Sequence, residues 1–182
     1  SSAITSVITG VDPELTTGRG TGIDDGALAH KAAVVRRAIE LNRPNPKDGL
    51  DVLTKVGGFE IGVLAGVMLG AAAGQRPLVV DGFISGAAAL IAFTIAPQAR
   101  HRFIASHQSV EPGHRIQLDA MKLSPLLDMG MRLGEGTGAA LAMHIIEASA
   151  KCLSDMATFA EAGVSERTGE EDGDENGDEA AH

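Results

Sequence analysis

One carboxylate in this sequence stands between two glycines, directly ahead of an apolar helical segment. Glu135 lies between Gly134 and Gly136, and residues 139–143 continue with apolar, helix-forming residues. Glycines on both sides let the backbone approach a ligand closely and adopt angles that other residues avoid. A carboxylate shielded from water at such a position suits a general base. The alternative is a glycine-rich turn whose Glu135 faces solvent, because perturbed carboxylates are a minority.

Two predicted strands end in polar residues that could bind a sugar. Residues 77–82 read as a buried parallel strand ending in Asp81 and Gly82, and residues 102–106 as a strand followed by a loop with Ser109. Parallel sheets bind ligands just past the carboxyl ends of their strands. Asp81 is therefore a candidate for a ribose hydroxyl, although it could instead cap the next helix. The Ser109 hydroxyl could donate to a ribose or phosphate oxygen.

A second glycine-rich loop precedes a basic helix. Residues 18–26 lead into an amphipathic helix over residues 27–41, which Asp24 or Asp25 could cap. Backbone N–H groups at such a helix start suit an anion. Lys31 lies one to two turns into the helix, on a side chain long enough to reach back towards the loop. It could equally be a surface lysine on the polar face of the helix.

Histidine and cysteine residues favour no metal site and no disulfide. The spacing of His107, Glu111 and His114 matches no recognised zinc pattern, so residues 107–114 are interpreted as an ordered loop closing over a pocket. The single cysteine, Cys152, cannot form an intrachain disulfide and lies in a helical pattern. It is interpreted as a small buried residue in a protein of a reducing compartment.

The elements that must position these residues alternate between strands and helices. This order predicts an α/β fold of three layers, with a doubly wound, mainly parallel, Rossmann-like sheet flanked by helices. Besides the strands, helical spacing predicts helices near residues 1–10 and over 27–41, 50–57, 59–73, 84–96, 116–122 and 139–162, with another starting at 124–127. Glycines at positions 62, 66 and 70 put a small-residue face on one helix, which indicates a buried helix pair or a dimer seam.

Composition excludes some classes of function. The 182 residues carry a net charge of −9 and only 3% aromatic residues, which argues against nucleic-acid binding. Residues 161–182 hold nine acids and one arginine, so we expect a disordered acidic tail behind a domain over residues 1–160. The uncharged run 82–99 is interpreted as a buried helix rather than a membrane span. With no signal-peptide pattern, a cytoplasmic protein without membrane partners is expected.

Taken together, four segments resemble one enzyme family. These segments are residues 18–25, 81–83, 106–114 and 126–143. The family is nicotinate-nucleotide–dimethylbenzimidazole phosphoribosyltransferase, which makes the lower-ligand nucleotide of cobalamin. The resemblance covers roughly residues 1–165 and only the C-terminal half of the family, whose chains are about twice this length. It places a Gly-Asn-Thr-Thr phosphate-binding loop and much of the benzimidazole pocket upstream of Ser1.

The resemblance implies a reaction, its two substrates and a set of site residues. A benzimidazole nitrogen attacks C1′ of nicotinate mononucleotide, nicotinate leaves, and α-ribazole 5′-phosphate forms, with no cofactor and no metal. Glu135 is implied as the general base, with Leu133 facing the aromatic base and helping Met131 to keep the carboxylate dry. The implied substrate-binding residues are Gly20 and Lys31 for the phosphate, and Asp81, Gly82 and Ser109 around the ribose. The family also implies a homodimer.

Two other interpretations stay open. The glycine pattern of residues 134–139 could belong to a dinucleotide-binding oxidoreductase, but that motif needs a strand directly before it, and residues 126–133 read poorly as a strand. The second alternative is a non-catalytic or inactive fragment that only binds nucleotide or oligomerises, since a fold does not by itself imply a function.

Overall fold

The structure is a computed structural model that describes residues 1–20 and 22–164, in thirteen elements. In chain order these are α1 Ser2–Thr9, α2 Pro13–Thr16, α3 Asp25–Asn42, α4 Gly49–Val56, α5 Phe59–Ala73, β1 Leu78–Val80, α6 Phe83–Ile95, a 3-10 helix Pro97–Arg102, β2 Phe103–Ala105, β3 His107–Ser109, α7 Pro112–Met121, β4 Leu127–Met131 and α8 Thr137–Asp155. The chain divides into two compact units, residues 1–146 and 147–182. Most of the expected acidic tail, from residue 165 onwards, lies outside the described residues.

In the described residues the strands form two separate two-stranded sheets, β1 with β2 and β3 with β4, and both pairs are parallel. β1 pairs with β2 in the register Val80 to Ala105, and β3 pairs with β4 in the register Ser109 to Met131. Parallel neighbours need a crossover connection, and α6 and α7 supply the two crossovers. Only Ser106 separates β2 from β3. The predicted α/β class with parallel strands flanked by helices is confirmed.

Two of the strands were not expected from the sequence. β3 was interpreted as part of a loop, and β4 as the continuation of a helix starting near residues 124–127; both interpretations are wrong. β4 contains Asp128 and Gly130 and is largely exposed, so its residues carry little strand propensity of their own. Its extended form comes from pairing with β3, which the local sequence does not reveal.

The core of the first unit surrounds α6. Six consecutive residues of this helix, 87–92, are fully buried, and four of them are alanines. Such small side chains let neighbouring elements pack closely, and α1, α4, α5 and α7 all contact α6. The expectation of a buried helix here is confirmed. No helix in the described part of the chain is long and apolar enough to cross a membrane.

Two of the three glycines on this face of α5, Gly66 and Gly70, are not covered by the described residues. Ala65 and Met68 of this helix are buried in the core, whereas Phe59 is 94% exposed. A Cβ built on Gly66 would meet no heavy atom of the described residues within 4 Å, and the same holds at Gly70. The interpretation of this face as part of a buried helix pair is therefore wrong within the described residues. The interpretation as a dimer seam stays a prediction.

Replacing Gly66 by alanine tests whether the face is free. A glycine inside an exposed helix destabilises it by about 0.5–1 kcal/mol relative to alanine. If solvent covers the face, Gly66→Ala should raise the free energy of unfolding in urea by about that amount. Gly62→Ala is the matched control, because its Cβ would lie 3.2 Å from Leu53 Cδ2 and should stabilise less. A decrease in stability for Gly66→Ala would instead show that a partner covers the face.

Candidate active site

The carboxylate of Asp81 joins the end of β1 to the start of α8. Asp81 directly follows β1, and its side chain is only 13% exposed. Its Oδ1 accepts a hydrogen bond from the N–H of Ala139 at 2.9 Å. Asp81 therefore does cap a helix, but not the next one, α6, whose N-cap is Gly82. A carboxylate at a helix N-terminus is favourable because it meets the positive end of the helix dipole.

This hydrogen bond also bears on the dinucleotide alternative. The reason given against that alternative was wrong, because β4 is indeed a strand and ends at Met131, shortly before the glycine-rich turn. In a dinucleotide-binding fold the pyrophosphate lies at the N-terminus of the following helix. Here the carboxylate of Asp81 already accepts an N–H from the first turn of α8. A pyrophosphate at that position would face a negative charge, so the structure disfavours the motif on electrostatic grounds.

The imidazole of His107 is wedged beside Asp81 between two glycines. Its Nδ1 lies 3.0 Å from Ser106 Oγ and 3.9 Å from Asp81 Oδ1, and the side chain is buried. A Cβ on Gly138 would overlap the ring, and one on Gly82 would lie 3.4 Å from its Cε1. Gly138 therefore allows the start of α8 to approach β3. The sequence analysis considered His107 only as a metal ligand and missed this packing role.

Glu111 and Lys31 both contact the glycine-rich loop of residues 18–26. The N–H of Gly20 donates to Glu111 Oε1 at 3.0 Å, and a Cβ on Gly18 would overlap the Glu111 carboxylate. Lys31 reaches back along its helix and donates from Nζ to the carbonyl oxygen of Gly18 at 3.1 Å. Lys31, on α3, thus lies against the loop that contains Gly20. The sequence analysis gave Glu111 no such contact, because the partners lie 91 residues apart.

Lys31 also lies close to the start of α1. The Lys31 ammonium is close enough to the nitrogen of Ser1 to act on it electrostatically. The carbonyl oxygen of Ser1 accepts the N–H of Thr5, so the N–H groups of residues 2–4 precede the first turn of helical bonds. An ammonium beside a helix N-terminus gives a local surrounding that suits an anion.

Ser109, the last residue of β3, makes two hydrogen bonds to residues that follow it. Its N–H donates to His114 Nδ1 at 3.0 Å, and its hydroxyl oxygen accepts the N–H of Glu111 at 3.3 Å. The pKa of His114 is lowered to about 4, mainly by burial and further by the neighbouring His107. The ring is therefore neutral. Because Nδ1 accepts from Ser109, the ring proton must lie on Nε2.

The turn that carries Glu135 has a strained backbone. Gly134, Glu135 and Gly136 have φ values of 80°, 56° and 75°, all in the left-handed region. The turn is closed by Thr137, whose hydroxyl donates to the carbonyl oxygen of Gly134 at 2.8 Å. A non-glycine residue in this region is uncommon, and such strain concentrates at functional sites. Glu135 is the strained residue of the three.

The expected shielding of Glu135 is not found. Glu135 is exposed, and Leu133 is 75% exposed, so neither side chain is covered by the described residues. The expectation that apolar neighbours keep the carboxylate dry is therefore wrong within this part of the chain. The physical reason is that the turn projects beyond the end of β4 and no described element packs over it.

The predicted site residues nonetheless lie near the carboxyl ends of β1, β3 and β4 and on the elements that contact them. Gly20, Lys31, Asp81, Gly82 and Ser109 are joined through the contacts above. The Val110 N–H donates to the carbonyl oxygen of Met131 at 3.1 Å, which sets the turn with Leu133 and Glu135 beside Ser109. Within residues 1–20 and 22–164, no three His, Cys, Asp or Glu side chains could together hold a metal ion.

Comparisons with known proteins show which family the chain resembles. The phosphoribosyltransferase family model matches residues 1–164. The nicotinate-nucleotide–dimethylbenzimidazole phosphoribosyltransferase of Chloroflexus aggregans is 63% identical over 166 residues, which are 91% of this chain and 47% of the relative. The protein of the same name from Desulforudis audaxviator is 61% identical over 166 residues, with the same coverage. The chain thus spans about half the length of the curated relatives it matches.

Solved structures give the same result. A crystal structure of CobT from Thermus thermophilus superposes with a TM-score of 0.84 at 47% identity, covering 90% of this chain and 49% of that chain. A crystal structure of the phosphoribosyltransferase from the same organism gives a TM-score of 0.82 at 44% identity, covering 91% of this chain and 48% of that chain. The resemblance found in the sequence motifs is confirmed.

The neutral state of His114 predicts how stability depends on pH. Its pKa is about 4 in the folded chain and near the ordinary 6.5 in the unfolded chain. Between these values the unfolded chain binds more protons, so stability falls as the pH falls from about 6.5 to 4. The loss attributable to His114 should reach up to about 3 kcal/mol. Urea unfolding at several pH values measures it.

His114→Asn is the matched variant for that measurement. The asparagine side-chain oxygen can accept the Ser109 N–H in place of Nδ1, but it does not titrate. The variant should therefore lose stability less steeply than the parent below about pH 6.5. Parallel curves for the two proteins would contradict the assignment of a depressed pKa to His114.

Proposed function

This chain belongs to the phosphoribosyltransferase family of the nicotinate-nucleotide–dimethylbenzimidazole type, and on that premise we propose which reaction its residues serve. The phosphoribosyl group of nicotinate mononucleotide is transferred to 5,6-dimethylbenzimidazole, with release of nicotinate and formation of α-ribazole 5′-phosphate for the nucleotide loop of cobalamin. The observation that carries the proposal is that three parts of the chain are linked near Asp81: the glycine-rich loop bound by Lys31, Ser109 at the end of β3, and the turn of Glu135.

The phosphate of the mononucleotide is held by Lys31 and the start of α1, and Gly20 contributes through the shape of its loop. The Lys31 ammonium supplies a full positive charge, and its contact with the Gly18 carbonyl oxygen keeps it beside the glycine-rich loop. Glu111 accepts from Gly20 and so fixes the shape of that loop. The N–H groups of the first turn of α1 add further donors, an arrangement that suits phosphate.

The ribose lies between the ends of β1 and β3. Asp81 is already oriented by its hydrogen bond to Ala139, and Ser109 is oriented by His114 and Glu111. Gly82 follows Asp81 with no side chain, which leaves room for the sugar close to the backbone. Groups held in this way place C1′ without further ordering when substrate binds, and such positioning supplies much of the rate in a displacement.

Glu135 acts as the proton acceptor. The unprotonated ring nitrogen of dimethylbenzimidazole forms the new bond to C1′ while the bond from C1′ to the pyridinium nitrogen of nicotinate breaks. The electron pair of that bond returns to the nicotinate ring, so the leaving group needs no strong acid. The proton on the other benzimidazole nitrogen passes to the Glu135 carboxylate. The strained turn supports this role because such backbone strain concentrates at functional sites.

Leu133 and the bound aromatic base would shield Glu135 during the reaction. Leu133 is exposed two residues before Glu135, so a flat apolar substrate lying on it would cover apolar area and exclude water from the carboxylate. We assign the rest of the cover to the part of the relatives' length that this chain does not span. A homodimer in the cytoplasm, working without a cofactor, completes the proposal.

Glu135→Gln tests the proton acceptor. Glutamine keeps the size and the hydrogen-bonding reach of the side chain but cannot take up the proton, so turnover should fall about 100-fold or more. The measurement is the rate of nicotinate release from nicotinate mononucleotide in the presence of dimethylbenzimidazole. Glu40→Gln, on α3 and away from the site, is the matched control and should keep its activity. Near-parental turnover in Glu135→Gln would remove Glu135 from the mechanism.

The alternative of an inactive fragment needs its own experiment. The chain should release nicotinate when it is mixed with the segment of the Chloroflexus aggregans relative that it does not match. We expect little or no release from the chain alone, because Glu135 is exposed there. Calorimetry with nicotinate mononucleotide provides the second readout. Binding of the mononucleotide without turnover, both with and without the added segment, would favour the non-catalytic alternative.

A further inference from the structure

A pair of buried polar atoms lies on α7, outside the proposed set of substrate contacts. His114 and Gln117 are one helical turn apart, and both side chains are fully buried. Within the described part of the chain, His114 Nε2 and Gln117 Oε1 have no hydrogen-bond partner. Both border the same point. A Cβ on Gly86 would overlap Gln117 Oε1 and would lie 3.2 Å from His114 Cδ2, the carbon bonded to Nε2.

The two atoms are chemically complementary. His114 Nδ1 accepts the N–H of Ser109, so Nε2 carries the ring hydrogen and is a donor. The side-chain nitrogen of Gln117 donates to Thr5 Oγ1 at 2.8 Å and to the carbonyl oxygen of Phe83 at 3.1 Å. A carbonyl oxygen can only accept, which fixes the orientation of the amide and leaves Gln117 Oε1 as an acceptor. A donor and an acceptor thus share one small buried space.

The same side chains connect two elements of the proposed active site. On one side, His114 Nδ1 accepts the N–H of Ser109, the last residue of β3. On the other side, Gln117 holds Thr5, whose hydroxyl donates to the carbonyl oxygen of Ser1 at the start of α1. Ser109 is our candidate for the ribose, and the start of α1 is our candidate for the phosphate.

We propose that His114 and Gln117 are positioning residues that form a buried relay, in which His114 Nε2–H donates to one water beside Gly86 and that water donates to Gln117 Oε1. The relay fixes Ser109 relative to the start of α1, and so sets the distance between the ribose and phosphate sites. What its two ends bind rests on the proposed function. Neither residue touches substrate, so both act through Ser109 and Thr5.

The relay requires a neutral imidazole, and the surroundings favour one. A second ring proton would have to sit on Nδ1, where it would face the N–H of Ser109. The ring is buried, and its nearest charged or titratable neighbours are His107, with ring centroids 5.9 Å apart, and Asp81. Burial and His107 lower the pKa of His114, and Asp81 opposes them only in part. A polar network that is fully satisfied in this way rigidifies the core around it.

Nitrogen NMR of the histidine rings tests the relay without any catalysis. In the full chain, the ring of His114 should carry its hydrogen on Nε2, with an unprotonated Nδ1, between about pH 5 and 8. The resonance is assigned by its loss in His114→Asn. A hydrogen on Nδ1, or a ring that gains a second proton near pH 6.5, would overturn the relay. This result does not depend on whether the proposed reaction is correct.

Hydrogen exchange of the Ser109 amide gives a second test that is independent of activity. His114→Phe keeps a ring but removes both nitrogens, so the amide should exchange at least about tenfold faster, as expected for the loss of one buried hydrogen bond. His114→Asn keeps an acceptor and should preserve slow exchange. His144→Phe, at an exposed position of α8, is the control for the substitution itself. Equal protection in the Phe and Asn variants would contradict the relay, and so would loss of protection in both.

The kinetic test separates positioning from general stability. In the active protein, Gln117→Leu should raise KM for nicotinate mononucleotide about tenfold, because the phosphate and ribose sites lose their fixed spacing. KM for dimethylbenzimidazole and kcat should change less than about twofold. A variant that is merely less stable would alter the amount of active protein and leave both KM values unchanged. Unchanged KM values, or equal increases for the two substrates, would refute the coupling.

Discussion

The geometry at the carboxyl ends of the strands depends on one hydrogen bond, from the N–H of Ala139 to the carboxylate of Asp81. Asp81 is fixed from behind, since Ser106 Oγ donates to its carbonyl oxygen at 3.0 Å. The carboxylate meets the positive end of α8, which makes the contact stronger than a neutral hydrogen bond. It joins the end of β1 to the first residues after the Glu135 turn, across 58 positions of sequence. Together with the pairing of β4 and the packing of His107 against Gly138, it attaches the turn to the strands.

The strain at Glu135 follows from being held at both ends. On one side, β4 pairs with β3, and the Val110 N–H bonds the carbonyl oxygen of Met131. On the other side, Asp81 holds Ala139. The few residues between these anchors must reverse direction, and they do so with three consecutive left-handed residues. A strained residue persists only where the surroundings determine its conformation in this way. The structure thus fixes the backbone of Glu135 without burying its side chain.

How much of this was predictable depends on whether the signal is local. The helix caps at Asp24 and Gly10 and the strand that ends at Asp81 follow from residue type and short-range pattern, and the structure has them as expected. β4 was missed because its strand state comes from pairing with β3 rather than from its own residues. The contacts of Glu111 and Gln117 were missed for the same reason, since their partners lie 91 and 112 residues away. The glycines at 86 and 138 were the available signals for a close approach.

The described residues orient some groups of the proposed site, but they do not exclude water from it. The groups assigned to phosphate and ribose are oriented by hydrogen bonds within this chain, through Gly18, Ala139 and His114. The backbone of Glu135, the proposed proton acceptor, is fixed too, but its side chain is open to solvent. Orientation needs only neighbouring backbone, whereas exclusion of water needs a second surface that closes over the turn. A chain that spans about half the length of its relatives can therefore position the backbone of Glu135. In the proposed mechanism, the low-polarity surroundings that make a carboxylate an effective base come from the bound aromatic substrate and from a covering segment.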